Sequence, residues 1–291
     1  MTRPADHARP DVYTRITNQI ITQLEAGVRP WTQPWTGGRP VTRPLRHDGT
    51  PYSGINILLL WSEAFSRGFA SPTWMTFRQA LALGAHVRKG EKGSTVVYAN
   101  QIVRTEADEA GGETERRIPF LKAYTVFNVE QIDGLPDACR PQPVEPVNPD
   151  QRLGAVEHFF RGLGVHIRHG GSAAWYAADT DHVQMPSFEM FRDAGAYYAT
   201  LGHECVHWTG HASRLARDFS RSKQAYARGE LVAELGAAFL CADLRLELEP
   251  REDHAAYLGH WLEVLRADKR FLFSAAAHAQ RAVAWLHEAR S

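Results

Sequence analysis

The sequence is short of cysteine, of long apolar runs and of net charge, and each shortage removes a class of protein. Its three cysteines, Cys139, Cys205 and Cys241, are odd in number and widely spaced, so they offer no disulfide framework. The longest stretch without a polar side chain, Leu235 to Ala242, is eight residues, far below the roughly 20 that a membrane-spanning helix needs. The N-terminus, Met1 to His7, has no apolar segment of the kind that directs secretion. A reduced, cytoplasmic protein without a membrane segment is therefore expected. There is no internal repeat and no low-complexity tract. There is also no zinc finger and no basic heptad region, which excludes those readers of duplex DNA.

What is present is a globular composition, 44% hydrophobic and 23% charged over 291 residues. The net charge of zero hides an asymmetry. Residues 1–104 carry 13 Lys+Arg against 6 Asp+Glu, and the rest of the chain carries 20 against 27. A basic N-terminal part points to a polyanionic partner.

Local patterns divide the chain. Asp11 to Gly27 reads as a helix, with Asp11 as cap, Val12, Ile16, Ile20 and Leu24 on one face, and Gly27 at the end. A second helix fits Ile55 to Arg67, stopped by Gly68. A third starts at Ser71-Pro72 and stops at Gly84. Strands are then expected at Ala85–Lys89 and Ser94–Asn100, flanking the Gly90–Gly93 turn, and at Gln101–Arg104 and Phe120–Phe127 around an acidic loop. Pro136, Pro141, Pro143, Pro146 and Pro149 block regular structure and favour an extended linker. The expected domains are 1–135 and 151–291, joined by the linker 136–150. The second opens with a helix near Gln151 and short strands near Val165–Arg168, Trp175–Ala177 and His182–Met185, and is helical thereafter. The fold class is α+β: an N-terminal α+β domain and a mostly helical C-terminal domain with a small sheet.

The strongest chemical signal is His203-Glu204-Cys205-Val206-His207. On a helix, residues four apart lie about one turn apart on one face, so both imidazoles can reach a single cation. Glu204 projects about 100° from His203, where it can take a proton from a metal-activated water. Tyr198, Leu201, Cys205 and Trp208 form an apolar stripe, which makes Cys205 a packing thiol. A catalytic zinc takes three protein ligands and a water. A third histidine after Gly210 would stand at Ser213, and His211 comes too early. Downstream, Glu230 and Glu234 share a helix face with the small residues Ala233 and Ala237. Glu230 is the expected third ligand, and Glu234 the carboxylate that orients an imidazole through its other nitrogen. Zn2+ is the expected ion, replaceable by Mn2+ or another divalent metal. His211 and Tyr226 are candidates for oxyanion stabilisation.

Binding a single strand takes cations for phosphates and aromatic faces for bases. Residues 29–46 supply both, with Arg29, Trp31, Trp35, Arg39, Arg43 and Arg46 among prolines. Tyr52, Arg88, Lys89 and Lys92 could extend the surface. The alternative for either tryptophan is a loop tucked onto a core, and core positions are favoured for Trp61, Trp74 and Phe77.

Several segments resemble the ArdC-type antirestriction proteins of mobile elements. In the C-terminal half these are Asp181 to Phe191, Tyr197 to Gly210, Glu230 to Leu240 and Ala275 to Ala282. In the N-terminal half they are Asp11-Val-Tyr with its following Leu-Glu-Ala-Gly, Pro30-Trp, Pro34-Trp, Tyr52-Ser-Gly-Ile-Asn and Lys89-Gly-Glu-Lys-Gly. The resemblance covers about residues 11–290. It implies an N-terminal domain that binds single-stranded DNA and a C-terminal zincin-like metallopeptidase domain. It also implies protection of incoming DNA from host restriction. If the site turns over peptides, the expected partner is a host protein near the DNA, such as a restriction enzyme subunit. His203, His207 and Glu230 match the metal ligands and Glu204 the general base. Gly229 departs from the pattern, since the family commonly has another carboxylate there. A zincin fold can persist without turnover.

Overall fold

The computed structural model describes residues 11–31, 41–107, 113–139, 149–217, 223–246 and 254–290. Eight helices are described: α1 (Val12–Glu25), α2 (Ile55–Arg67), α3 (Phe77–Ala82), α4 (Pro149–Gly162), α5 (Ala194–Trp208), α6 (Lys223–Leu244), α7 (His254–Ala267) and α8 (Phe271–Glu288). The strands are β1 (Leu45–Arg46), β2 (Thr73–Met75), β3 (His86–Val87), β4 (Ser94–Ala107), β5 (Glu113–Asn128), β6 (Ile132–Asp133), β7 (His166–His169), β8 (Trp175–Ala177) and β9 (His182–Met185). The architecture is α+β, as expected. No described helix is long and apolar enough to cross a membrane.

In the N-terminal half the strands order β1-β2-β5-β4, with β3 and β6 as a separate pair. The C-terminal sheet orders β7-β9-β8, with β7 parallel and β8 antiparallel to β9. Helix α1 forms where its four-residue apolar spacing requires. The Asp11 carboxylate accepts from Thr14 N at 3.0 Å, and Ile16, Ile20 and Leu24 are buried. Helix α2 ends on Gly68 in the left-handed region, at φ 72°.

Two local expectations are corrected. The third helix starts at Phe77, not at Pro72, because Thr73–Met75 pairs with β5 and Thr76 then caps the helix with Gln79. The Gly90–Gly93 turn does not join adjacent strands. His86–Val87 pairs instead with Ile132–Asp133, and β4 runs along β5 from Ser94↔Val126 to Ala107↔Glu113. The cause lies in the turn's own side chains. Arg88 donates to Glu91, Asp133 and the Glu130 carbonyl, and Gln131 donates to Glu91, so the turn is tied to residues 130–133. Pro141, Pro143 and Pro146 of the expected linker lie outside the described residues.

One apolar cluster draws on both halves. Ile16, Ile20, Leu24, Trp31, Ile57 and Trp61 pack in it with Phe239, Trp261, Leu265, Leu272 and Val283. Trp61 meets Phe239 edge-on at 5.9 Å, and Trp31 meets Trp261 at 6.0 Å. Beside this cluster Arg43 is buried. Its Nε and Nη2 donate to both oxygens of Asp243 at 2.7 and 2.8 Å, and Nη1 donates to Gln280 Oε1 at 2.7 Å. A two-pronged guanidinium–carboxylate pair of this geometry is among the stronger polar contacts. It locks the segment before β1 onto α6 and α8.

The Arg43 pair generates a stability prediction. Arg43→Ala removes both guanidinium bonds to Asp243, which keeps His287 Nε2 at 3.0 Å, and should cost about 1.5–3 kcal/mol. Arg46→Ala, at an exposed site, should change stability by less than about 0.5 kcal/mol. Urea unfolding of the full chain measures both, and equal effects would show that the Arg43 lock contributes nothing.

Candidate metal centre

Helix α5 starts under Asp193, whose carboxylate accepts from Ala196 N at 2.8 Å. Its apolar stripe, including Leu201, Cys205 and Trp208, is buried. Burial pushes the Cys205 thiol well above its ordinary range, as expected of a packed thiol. Cys241, equally enclosed, is pushed up to about 12 by burial.

The helix's C-terminal end is held by two arginines. Arg217 donates to the Val206 carbonyl, to Thr209 Oγ1 at 2.8 Å and to the His207 carbonyl at 3.4 Å. Arg214 donates to the Trp208 carbonyl at 2.7 Å and lies 4.1 Å over the Trp208 ring. Cations here satisfy carbonyls that the helix itself cannot pair and match its negative end. Burial lowers the Arg217 guanidinium to about 10, which leaves it charged at neutral pH. Neither arginine stands out by motif. The available signal was a pair of basic residues just beyond a helix end. Asp181 accepts from Arg214 and from the Tyr176 hydroxyl at 2.8 Å, tying this cap to the small sheet.

Helix α6 crosses α5 at close range. A Cβ built on Gly236 would meet Val206 Cγ2 at 2.7 Å and Cγ1 at 2.9 Å, distances that real side chains do not tolerate. Gly202 gives a second approach, with Leu240 Cδ2 at 3.4 Å from an added Cβ. The crossing brings three donors together. His203 Nε2 and His207 Nε2 are 3.2 Å apart, and each lies 3.5 Å from a Glu230 carboxylate oxygen. Among the described residues this is the grouping close enough to hold an ion. Burial alone would raise the Glu230 carboxyl. The two imidazoles outweigh it by hydrogen bonding and charge, and hold that group well below the usual carboxylate range.

The triangle fits a small divalent metal. Ligand bonds of 2.0–2.1 Å in a tetrahedron put donors about 3.3 Å apart; the two Nε2 atoms are 3.2 Å apart, Glu230 approaches each through a different oxygen at 3.5 Å, and one ligand atom from each residue lies within 4.8 Å of the other two. Nitrogen and carboxylate oxygen donors suit Zn2+ and Mn2+ alike. Glu204 is buried on the same turn. Glu234 stands behind the triangle, with Oε2 3.9 Å from the enclosed His203 Nδ1, beyond a hydrogen bond. Gly229 borders the ligands, an added Cβ falling 3.9 Å from His207 Cε1. Tyr226 is exposed on α6, one turn before Glu230. His211 is half-buried, its Nδ1 2.8 Å from Ser213 Oγ.

These placements go with clear likeness to known proteins. The family model for the N-terminal domain of anti-restriction factor ArdC matches residues 10–127, and that for the zincin-like metallopeptidase matches residues 154–278. The uncharacterised protein y4eC of Sinorhizobium fredii (strain NBRC 101917 / NGR234) is 46% identical over 290 residues, 97% of this chain and 93% of its own length. The metal-free crystal structure of the antirestriction ArdC protein from plasmid R388 has a TM-score of 0.82 to this chain at 43% identity, covering 96% of this chain and 98% of that one. The chain belongs to the ArdC antirestriction family. The Mn(II)-bound ArdC structure gives a TM-score of 0.79 at 42% identity, with the same coverage of 96% and 98%. DNA primase TraC of Escherichia coli is 38% identical over 291 residues, 92% of this chain but 26% of the primase.

Within this ArdC-family chain the expected DNA-contacting residues divide. Trp31 is buried, at 2% exposure, and its Nε1 donates to Glu234 Oε1 at 3.1 Å. It is therefore not a base-stacking platform, and the loop-on-core alternative holds for it. Arg29 lies half-buried, 4.0 Å from the same carboxylate. Arg43 is committed to Asp243, so its expected phosphate contact is also corrected. Arg46, Lys89 and Lys92 are exposed, while Arg88 is exposed but bonded to Glu91 and Asp133. Trp35 and Arg39 lie outside the described residues. Trp61 and Trp74 are core residues as expected, whereas Phe77 is exposed.

The helix crossing and its cap each generate a prediction. Gly236→Ala should destabilise the chain by about 1–3 kcal/mol through overpacking against a stiff valine; a melting temperature equal to wild type would mean that the crossing relaxes freely. Arg214, by hydrogen bonding first and then by charge, holds the Asp181 carboxyl below its ordinary value. Its contribution to stability is present above the ordinary carboxylate pKa and is lost as pH falls through the depressed folded value. Asp181→Asn, which keeps a residue tolerant of the local φ of 47°, should flatten the stability profile in that acid window. Denaturation curves across the window test it.

Proposed function

We propose that this chain protects incoming mobile-element DNA from restriction by binding it as a single strand. It carries one divalent metal, zinc or manganese, on His203, His207 and Glu230. The donor triangle is the observation that carries the metal reading, since two imidazole nitrogens and a carboxylate oxygen lie within 4.8 Å of one another. Membership of the ArdC family and the basic N-terminal part support the DNA reading.

When bound, the metal supplies Lewis-acid chemistry, polarising a peptide carbonyl and acidifying water. The chain's residues do the rest. His203 and His207 are fixed one turn apart by α5, and Glu230 closes the triangle from α6. Glu204 takes the proton from the attacking water and passes it to the leaving amine. Glu234, held by Trp31, presents a carboxylate toward the far nitrogen of His203 and biases that ring's orientation. The substrate is then a host protein near the DNA, such as a restriction subunit. The retained, buried Glu204 favours this peptidase reading, because a purely structural site has no use for a general base.

His207→Ala and Glu230→Ala should each lose the ion in elemental analysis and metal titration; full occupancy in His207→Ala would falsify the site. Glu204→Gln should keep both metal and DNA binding while lowering peptide hydrolysis by about 100- to 10,000-fold. A restriction-protection assay with the same variant separates the roles. Loss of protection makes hydrolysis the working step, and retained protection makes DNA binding sufficient.

A further inference from the structure

The β4–β5 ladder leaves aromatic rings in water on one face. Its register pairs Tyr98 with Lys122, Asn100 with Phe120 and Val96 with Tyr124. Strand side chains alternate with a period of two, so Val96, Tyr98, Asn100, Phe120, Lys122 and Tyr124 share a face, which is covered by core at Val96 and opens from Tyr98 onward. Tyr98 and Tyr124 are 48% and 47% exposed, and neither belongs to the apolar clusters described among these residues. The rings form a group. Tyr98 lies 6.3 Å from Phe120 and 6.5 Å from Tyr124, centroid to centroid, with interplanar angles of 54° and 78°. Tilted contacts of this kind use ring edges and leave flat faces open. Lys122 Nζ stands 5.3 Å from the Phe120 centroid, and Asn100 donates to the Tyr98 hydroxyl at 2.5 Å.

Cross-strand ring packing stabilises a hairpin modestly, but it does not call for cations among the rings. Exposed rings with a cation beside them are what a single strand needs, with bases on aromatic planes and phosphates on positive charge. We propose that single-stranded DNA lies on this face, with bases stacked on Tyr98, Phe120 and Tyr124 and phosphate met by Lys122. The inference rests on the single-strand reading above and assigns it a surface, in place of Trp31 and Arg43, which the fold has taken for its core. A duplex hides its base faces and gains only the charge.

Fluorescence anisotropy of the full chain with a labelled oligothymidine tests the assignment. Each productive ring removed should weaken binding about 5- to 150-fold. The Tyr98→Ala/Tyr124→Ala variant should therefore bind far more weakly at low and high salt alike, whereas Tyr98→Phe, which keeps the ring, should bind like wild type. Lys122→Gln should reduce the slope of log affinity against log salt by about 0.7. Photo-crosslinking of wild type to a bromodeoxyuridine oligonucleotide, mapped by mass spectrometry, needs no variant to fold and should label residues 94–128. If wild type binds but the folded double variant binds equally well, or the crosslinks fall wholly outside 94–128, this surface is wrong and the single-strand reading stands. If wild type binds no single strand, both fall.

Discussion

Gly236 lies against Val206, and the donor triangle depends on that approach. Two of its three corners sit on α5 and the third on α6, so the reach of Glu230 to the histidines is set by how closely the two helices pack. A Cβ at 236 would fall 2.7 Å from Val206 Cγ2, so the crossing would have to shift. The arginine cap acts in the same place from another direction. Arg217 and Arg214 hold the carbonyls of Val206, His207 and Trp208, the turn that carries one ligand and the residue packed on Gly236. Geometry at the site is thus set by packing and capping before any ion is considered.

The N-terminal half reaches the same place through polar contacts. Trp31 holds Glu234 from outside α6, and Glu234 faces the rear of His203. Arg43 fixes the neighbouring stretch of α6 through Asp243. The segment that carries Trp31 and Arg43 is therefore part of the support for the metal donors. On the proposed function, contact with DNA is left to exposed positions of the same half.

Local features were legible in the sequence because their causes are local. The four-residue spacings that produced α1 and the His203–His207 pair need only one helix, and Gly68 ends α2 by its own backbone freedom. Glu230 was legible through the small residues beside it, which announced a close helix neighbour. What failed needed partners far along the chain. Tryptophan and arginine in a proline-rich segment read the same whether they face water or a core. Glu234 and Asp243, which decide the matter, stand about two hundred positions away. One clue was available. Leu231 to Ala242 is apolar on nearly every side, which marks a helix covered all round and so requires a further layer. The β3–β4 turn was misread for a similar reason, since its arginine and glutamate are satisfied by residues 130–133.

The Arg43–Asp243 lock also bears on how such a chain is inherited. A recombination event that exchanged one half for that of a relative would keep each half's own motifs and still mismatch the contacts between them. The halves therefore travel best as one cassette. The likeness to TraC runs across 92% of this chain while occupying 26% of the primase, the pattern expected when a whole unit, seam included, is carried into a longer protein.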